Sequence, residues 1–111
     1  MSYEFQKLIT HNLKLITMLL EIVSPEAKLF SGEVTSISLP GVDGHFQMLN
    51  NHAPIVSLLQ KGTINITTAG SFELSEETAG LFTKVNDQNY TLEIASGTLE
   101  LKDNKVIVLA D

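Results

Sequence analysis

The sequence contains no cysteine, no arginine and no tryptophan. Without cysteine there is no disulfide, no thiolate nucleophile and no thiolate-ligated zinc site. Without arginine there is no guanidinium fork to grip a phosphate with two hydrogen bonds. Thirteen acidic residues stand against seven lysines, for a formal charge of −6. Nucleic acid, which is bound through clustered cations, is therefore excluded as an expected partner. Two tyrosines and no tryptophan leave little from which to build the aromatic platforms on which sugar rings rest. Long apolar runs are missing too: Lys14 and Glu21 interrupt the most hydrophobic part, so nothing approaches the ~18 residues that cross a bilayer as a helix.

What is present is the composition of an ordinary globular protein. With 43% apolar and 18% charged residues, the chain has enough Val, Ile, Leu and Phe to bury a core. Its 111 residues suffice for one such core and are too few for two. The first seventeen, MSYEFQKLITHNLKLIT, differ in texture from the rest. Phe5, Leu8, Ile9, Leu13 and Ile16 fall at roughly helical spacing, which predicts a short amphipathic helix in an N-terminal extension, residues 1–17. The extension is a poor secretory signal, since Glu4, Lys7 and Lys14 are scattered through it and no small-residue cleavage site follows. Met18 then opens the main domain, residues 18–111, and itself reads as a protein start.

From Leu19 onward, short apolar runs alternate with turn signals such as Ser24-Pro25, Asp43-Gly44, Lys61-Gly62 and Asp103-Asn104, the pattern of an all-β sandwich. Three runs alternate strictly, so each predicts a strand with one buried face. Ile64 and Ile66 oppose Thr63, Asn65 and Thr67; Tyr90, Leu92 and Ile94 oppose Thr91 and Glu93; Leu99 and Leu101 oppose Thr98, Glu100 and Lys102. The run Lys105 to Ala110 is apolar on both faces, Val106 and Val108 against Ile107 and Leu109, so both should be covered, by the core and a partner or by neighbouring loops. Asp103-Asn104 predicts a type I′ hairpin joining the last two strands.

The stretch GVDGHFQMLNNHAP, Gly41 to Pro54, concentrates the polar chemistry of the chain. His45 and His52 lie seven residues apart with no carboxylate or cysteine at ligand spacing, so a metal site would need partners from elsewhere. The simpler reading has His52 tie down the loop backbone through a ring nitrogen. No serine sits in an elbow motif with a base beside it. Gly41-Val42-Asp43-Gly44 lacks the following helix and the nearby cation of a phosphate cradle, and its glycines read as turn formers. Glu73, Glu76 and Glu77 read as a solvated acidic loop. No catalytic constellation emerges, and polar, glycine-rich sequence without chemistry points to a contact surface.

Three blocks carry a family likeness: LEIVSPEAKLFSGEVTSISLPGVDGHFQMLNNHAPIVSLLQKGTINI from Leu20, LEIASGTLEL from Leu92 and KVIVLAD from Lys105. Together they resemble the β-sandwich domain of the ATP synthase epsilon subunit, called delta in mitochondria. The ordered pieces are Val23-Ser24-Pro25, Leu29-Phe30-Ser31-Gly32, the Gly41-x-x-Gly44 turn, His52-Ala53-Pro54-Ile55, Lys61-Gly62, Ser96-Gly97 and Val108-Leu109-Ala110-Asp111. The resemblance implies a flattened β-sandwich of two mostly antiparallel sheets in the central stalk, binding the gamma subunit and resting on the c-ring of a proton- or sodium-translocating ATP synthase. It implies a non-catalytic rotor part without cofactor or metal, and no nucleotide is expected where the helical hairpin that senses ATP in some members is missing. Such a part lies at the cytoplasmic face of the bacterial inner membrane and meets the membrane only through the complex. It also implies partner contacts at Gly41, Asp43, Gly44, His45, Asn51, His52 and Pro54. Gly44-His45 matches the turn that reaches toward the c-ring, and His52 the histidine of the family's His-Ala-Pro.

The sequence departs from the family pattern in three places. Gln47 and Asn50-Asn51 stand where the family often has glycine and Pro-Gly, although Asn tolerates left-handed backbone. Residues 67–90 are longer and more acidic than the usual equivalent, which predicts a hairpin with an elongated, exposed tip. The sequence stops after Asp111, where the family's inhibitory C-terminal helical hairpin would begin; the expectation is a coupling and assembly piece without that control. Two rival readings are a generic β-sandwich module for carbohydrate or another ligand, and a small metal hydrolase using His45 and His52.

Overall fold

The computed structural model describes residues 17–50, 52–73 and 79–111. Nine strands fill them: β1 Met18–Val23, β2 Lys28–Gly41, β3 Gly44–Leu49, β4 Ile55–Leu59, β5 Gly62–Glu73, β6 Phe82–Lys84, β7 Asn89–Ile94, β8 Gly97–Lys102 and β9 Lys105–Ala110, with a 3-10 turn Ala79–Leu81 before β6. The helix expected in the leader lies outside the described residues, and so does Asn51.

The all-β expectation holds, and alternation decides which way each strand faces. Residues directly opposite in a ladder project to the same side. In the layer β4-β8-β9-β1, one inner row is Ile55, Leu101, Val106 and Leu20, and the next is Ser57, Leu99, Val108 and Ile22. The six leucines, valines and isoleucines of β8, β9 and β1 in these rows are almost wholly buried. In the layer β3-β2-β5-β7-β6, Met48, Ile37 and Ile66 line up, as do Ile64, Leu92 and Phe82. Both inner faces meet in one hydrophobic cluster, the core of a sandwich. Phe82 reaches across to Phe30, with ring centroids 6.2 Å apart and the planes tilted by 44°.

Two long strands stitch the layers together. The first half of β2 pairs with β1, the second half with β3. Against β5 the register of β2 slips between Gly32 and Val34 and again between Val34 and Ser36. Such bulges bend a strand and increase its twist, which lets one strand serve both layers. β5 does the same, its first half pairing with β7 and its last residues with Ser31–Val34. Pairing is antiparallel except for β1 with β9, which run parallel.

The turns follow the sequence reading closely. Asp103 and Asn104 take φ of 51° and 62°, the left-handed pair a type I′ hairpin requires. That hairpin also holds the start of β1: Asn104 Nδ2 donates to the Thr17 carbonyl at 3.0 Å, and the Leu19 amide donates to the Asn104 carbonyl at 3.0 Å. The hairpin expected within residues 67–90 is narrower than predicted. β5 runs on to Glu73 because its backbone is taken up by the ladder to Ser31 and Gly32, despite the polar texture of Thr67-Thr68-Ala69-Gly70-Ser71. The hairpin is β6–β7, with an exposed tip at Val85–Gln88. Asn86 organises this tip, its Oδ1 accepting from the amides of Gln88 and Asn89 at 3.0 Å each. Residues 74–78 lie outside the described residues.

Leu99→Ala removes a side chain 1% exposed at the centre of the inner face. Urea unfolding should show a loss of about 2–5 kcal/mol, whereas the outward Thr98→Ala should stay within about 0.5 kcal/mol of the parent.

Candidate docking surface

The Gly41–Pro54 stretch, expected as a loop, is for the most part a strand. β3 occupies Gly44–Leu49, with Met48 fully buried and Phe46 packed against the core. Only Val42-Asp43 turns between β2 and β3, and both are exposed. Gly41 and Gly44 face one another across this turn. Gly44 takes φ of 125°, which side chains rarely adopt, and a Cβ on Gly41 would stand 2.7 Å from the Phe46 ring. The tip is also tied to β4: Gly41 pairs with Leu59, and the Val42 amide donates to the Leu58 carbonyl at 3.3 Å. His52, Ala53 and Pro54 are exposed at the far end of β3, a strand length of roughly 17 Å away. The candidate residues thus form two places, Gly41 to His45 at the tip and His52 with Pro54 beyond Leu49.

His45 is held by its neighbours. Its Nε2 lies 3.1 Å from the Thr63 carbonyl and its Nδ1 2.8 Å from Ser38 Oγ. The carbonyl can only accept, so Nε2 carries the proton, and in the neutral ring the Ser38 hydroxyl donates to Nδ1. Continuing the register Ser38↔Asn65 places Pro40 opposite Thr63. Proline has no N–H to offer that carbonyl, and the imidazole supplies the missing donor from across β2. His52 acts locally, as the sequence suggested: its Nδ1–H donates to the Ala53 carbonyl at 2.7 Å, and its amide to the Leu49 carbonyl at 3.3 Å. Among the described residues no group of three or more His, Asp or Glu is placed to hold a metal ion.

A groove of about 620 Å³ opens between the Ser24–Ala27 turn and the ends of β7 and β9. Its floor includes Leu29, Leu92, Ile94 and Ala110, and its rim carries Glu26, Glu93 and Asp111 with no lysine. Three carboxylates repel a phosphate, so the groove is ill suited to a nucleotide.

The outer face of β4-β8-β9-β1 is a different kind of surface. One row across it reads Leu58, Thr98, Leu109, Val23, and the next Val56, Glu100, Ile107, Glu21. Val56 is 78% exposed, Leu58 61%, Leu109 53% and Leu19 51%. The sequence singled out the two-faced β9, and its inner Val106 and Val108 are indeed fully buried. Described loops leave its outer side open. Sequence reading missed Val56 and Leu58. The signal was there in Ile55-Val56-Ser57-Leu58-Leu59, where a single serine cannot account for a wet face. The opposite outer face, by contrast, is hydroxyl-rich: Thr67 bonds Asn89 Oδ1 at 2.8 Å, Thr63 bonds Glu93, and Ser38, Asn65 and Thr91 line up beside them.

Residues 17–88 match the family described as ATP synthase, Delta/Epsilon chain, beta-sandwich domain. The chain belongs to this family. An ATP synthase epsilon chain of Chlorobium limicola is 35% identical over 92 residues, covering 83% of this chain and 86% of that protein. One of Desulforamulus reducens is 32% identical over 95 residues, covering 86% of this chain. The match spans 59% of that relative's length. The fold is shared with a chain in the Tetrahymena thermophila mitochondrial ATP synthase central stalk/c-ring structure, with a TM-score of 0.59, 11% identity and coverage of 84% of this chain and 62% of that one. It is likewise shared with one in the Euglena gracilis mitochondrial ATP synthase OSCP/F1/c-ring structure, with a TM-score of 0.63, 16% identity and coverage of 85% and 50%. The family's sandwich is therefore the frame on which these two outer faces and the β2–β3 tip are displayed.

Gly44→Ala should cost about 1–3 kcal/mol through its backbone conformation. His45→Ala should cost about 1 kcal/mol by removing the donor to Thr63. Thermal melting of both variants beside Asp43→Ala, which should melt like the parent, checks the assignment.

Proposed function

We propose that this chain is a rotor subunit of the central stalk of an ion-translocating ATP synthase, binding the gamma subunit and resting on the c-ring to support assembly and coupling. The identity of the relatives as ATP synthase epsilon chains and the origin of the two structural neighbours in ATP synthases support the complex. The observation that carries the docking reading is the open aliphatic face of β4-β8-β9-β1, where the exposed Val56, Leu58, Leu109 and Leu19 surround a half-buried Ile107, a group of the kind that marks an interaction site. In this reading the face is covered by gamma, and the exposed Val42-Asp43 tip with His45 behind it points to the c-ring. A stable grip needs about 1,200 Å² or more of total buried surface. Apolar area buried there contributes about 25 cal/mol per Å², less the cost of association.

The role is non-catalytic, and the chain turns over no nucleotide. It attaches peripherally at the cytoplasmic face of the bacterial inner membrane, through the complex. No helix among the described residues is long and apolar enough to cross a membrane. The carbohydrate-module reading finds no support in this face, which presents aliphatic side chains and no aromatic ring.

The experiment is co-purification with the gamma subunit. The double variant Val56→Asp, Leu58→Asp should lose the complex while melting within a few degrees of the parent, because both side chains already face water in the free chain. Undiminished binding by that variant would refute the docking face. His52→Ala should weaken assembly and leave the fold intact. The isolated parent should hydrolyse no ATP above a buffer control, and measurable turnover would contradict the proposed role.

A further inference from the structure

The docking face contains a charge that the apolar reading leaves without a purpose. Glu100 lies on β8 directly between Val56 of β4 and Ile107 of β9, and its diagonal neighbours on the same face include Leu58 and Leu109. Its side chain is exposed, and it has no ion pair among the described residues. The other carboxylate in this row, Glu21 of β1, is already answered by Lys105 at 3.6 Å. Lys102, two residues along the same face, and Lys105 opposite it line the same hollow as Glu100, but neither ammonium lies within ion-pair distance of its carboxylate.

In the free chain water solvates the Glu100 carboxylate at no cost. A partner that covers Val56, Leu58, Ile107 and Leu109 strips that water away, because the carboxylate sits in the middle of the patch. An ionised carboxylate desolvated without a counter-charge is strongly unfavourable, while one met by a hydrogen-bonding cation is not. A purely aliphatic partner surface is thereby rejected, and one with a basic group at the matching position is accepted.

We infer that Glu100 is the specificity-determining residue of the docking face, and that the partner chain sets a basic side chain against its carboxylate within an otherwise aliphatic contact. A guanidinium fits best, since it can bond both carboxylate oxygens at once. The inference rests on the docking reading above and adds to it the chemistry of the partner's contact point.

The test measures dissociation of the chain from immobilised gamma subunit by surface plasmon resonance, with thermal melting alongside. Glu100→Gln should dissociate at least tenfold faster with an unchanged melting temperature, and Glu100→Lys should fail to bind. Glu100→Asp should recover part of the lifetime. Glu21→Gln should change the rate less than threefold, because its carboxylate already has a cation on its own chain. A Glu100→Gln variant that dissociates at the parental rate, while Val56→Asp loses binding, overturns this inference and leaves the docking face standing. Parental binding by Val56→Asp overturns the docking face and the inference together.

Discussion

One strand holds the architecture together. β2 is fourteen residues long and forms ladders with β1, β3, β4 and β5. A straight strand of that length would belong to one sheet. The two register slips between Gly32 and Ser36 turn it, so that Leu29, Phe30 and Val34 contribute to the core beside β1, and Ile37 and Leu39 beside β3 and β5. With β1 bonded to both β2 and β9, the circuit β1-β9-β8-β4-β2 closes on itself through the single pair Gly41↔Leu59, and among the described residues the free edges fall on β3, on β4 before Leu59 and on the three-residue β6. Exposed sheet edges invite unwanted pairing, and here they are short.

Because the layers are fixed by this circuit, their outer sides are free to differ, and they do. The β3-β2-β5-β7-β6 side spends most of its outward positions on threonine, serine and asparagine, with Leu49 the apolar exception, and Thr67 and Asn89 bond across a ladder. That side is content in water. The β4-β8-β9-β1 side spends them on valine, leucine and isoleucine with glutamates between. The asymmetry gives one face to water and leaves the other open to an apolar contact. The histidine behind the β2–β3 tip steadies the polar layer. By replacing the N–H that Pro40 lacks, His45 keeps the hairpin seated on β5 where the ladder alone would have been interrupted.

The strands that alternate strictly were legible in the sequence. β7 and β8, the first half of β5 and the type I′ turn at Asp103-Asn104 all follow from local residue order, as does the inner face of β9. Two things were not. β3 read as loop because only Phe46 and Met48 face inward in a stretch flanked by glycine and asparagine. What makes it a strand is its ladder to Ser36–Gly41, a non-local influence of the kind that dominates β structure. The outward Val56 and Leu58 were hidden for the opposite reason. Four of the five residues of β4 are apolar, so periodicity cannot say which pair is inside, and the register Ile55↔Leu101 decides it. The candidate residues of the glycine-rich stretch were found, but their division between the two ends of β3 became visible only once that strand was seen.

The parallel pairing of the first and last described strands has a mechanical meaning. From Leu19↔Lys105 to Val23↔Leu109 they run side by side in the same direction, so the chain enters at one end of the ladder and leaves at the other. Tension applied through the two ends does not peel these strands apart one bond at a time. It loads all the hydrogen bonds between them together, in shear, and they must rupture in concert. The order in which the strands are laid down thus gives the sandwich a clamp loaded in shear.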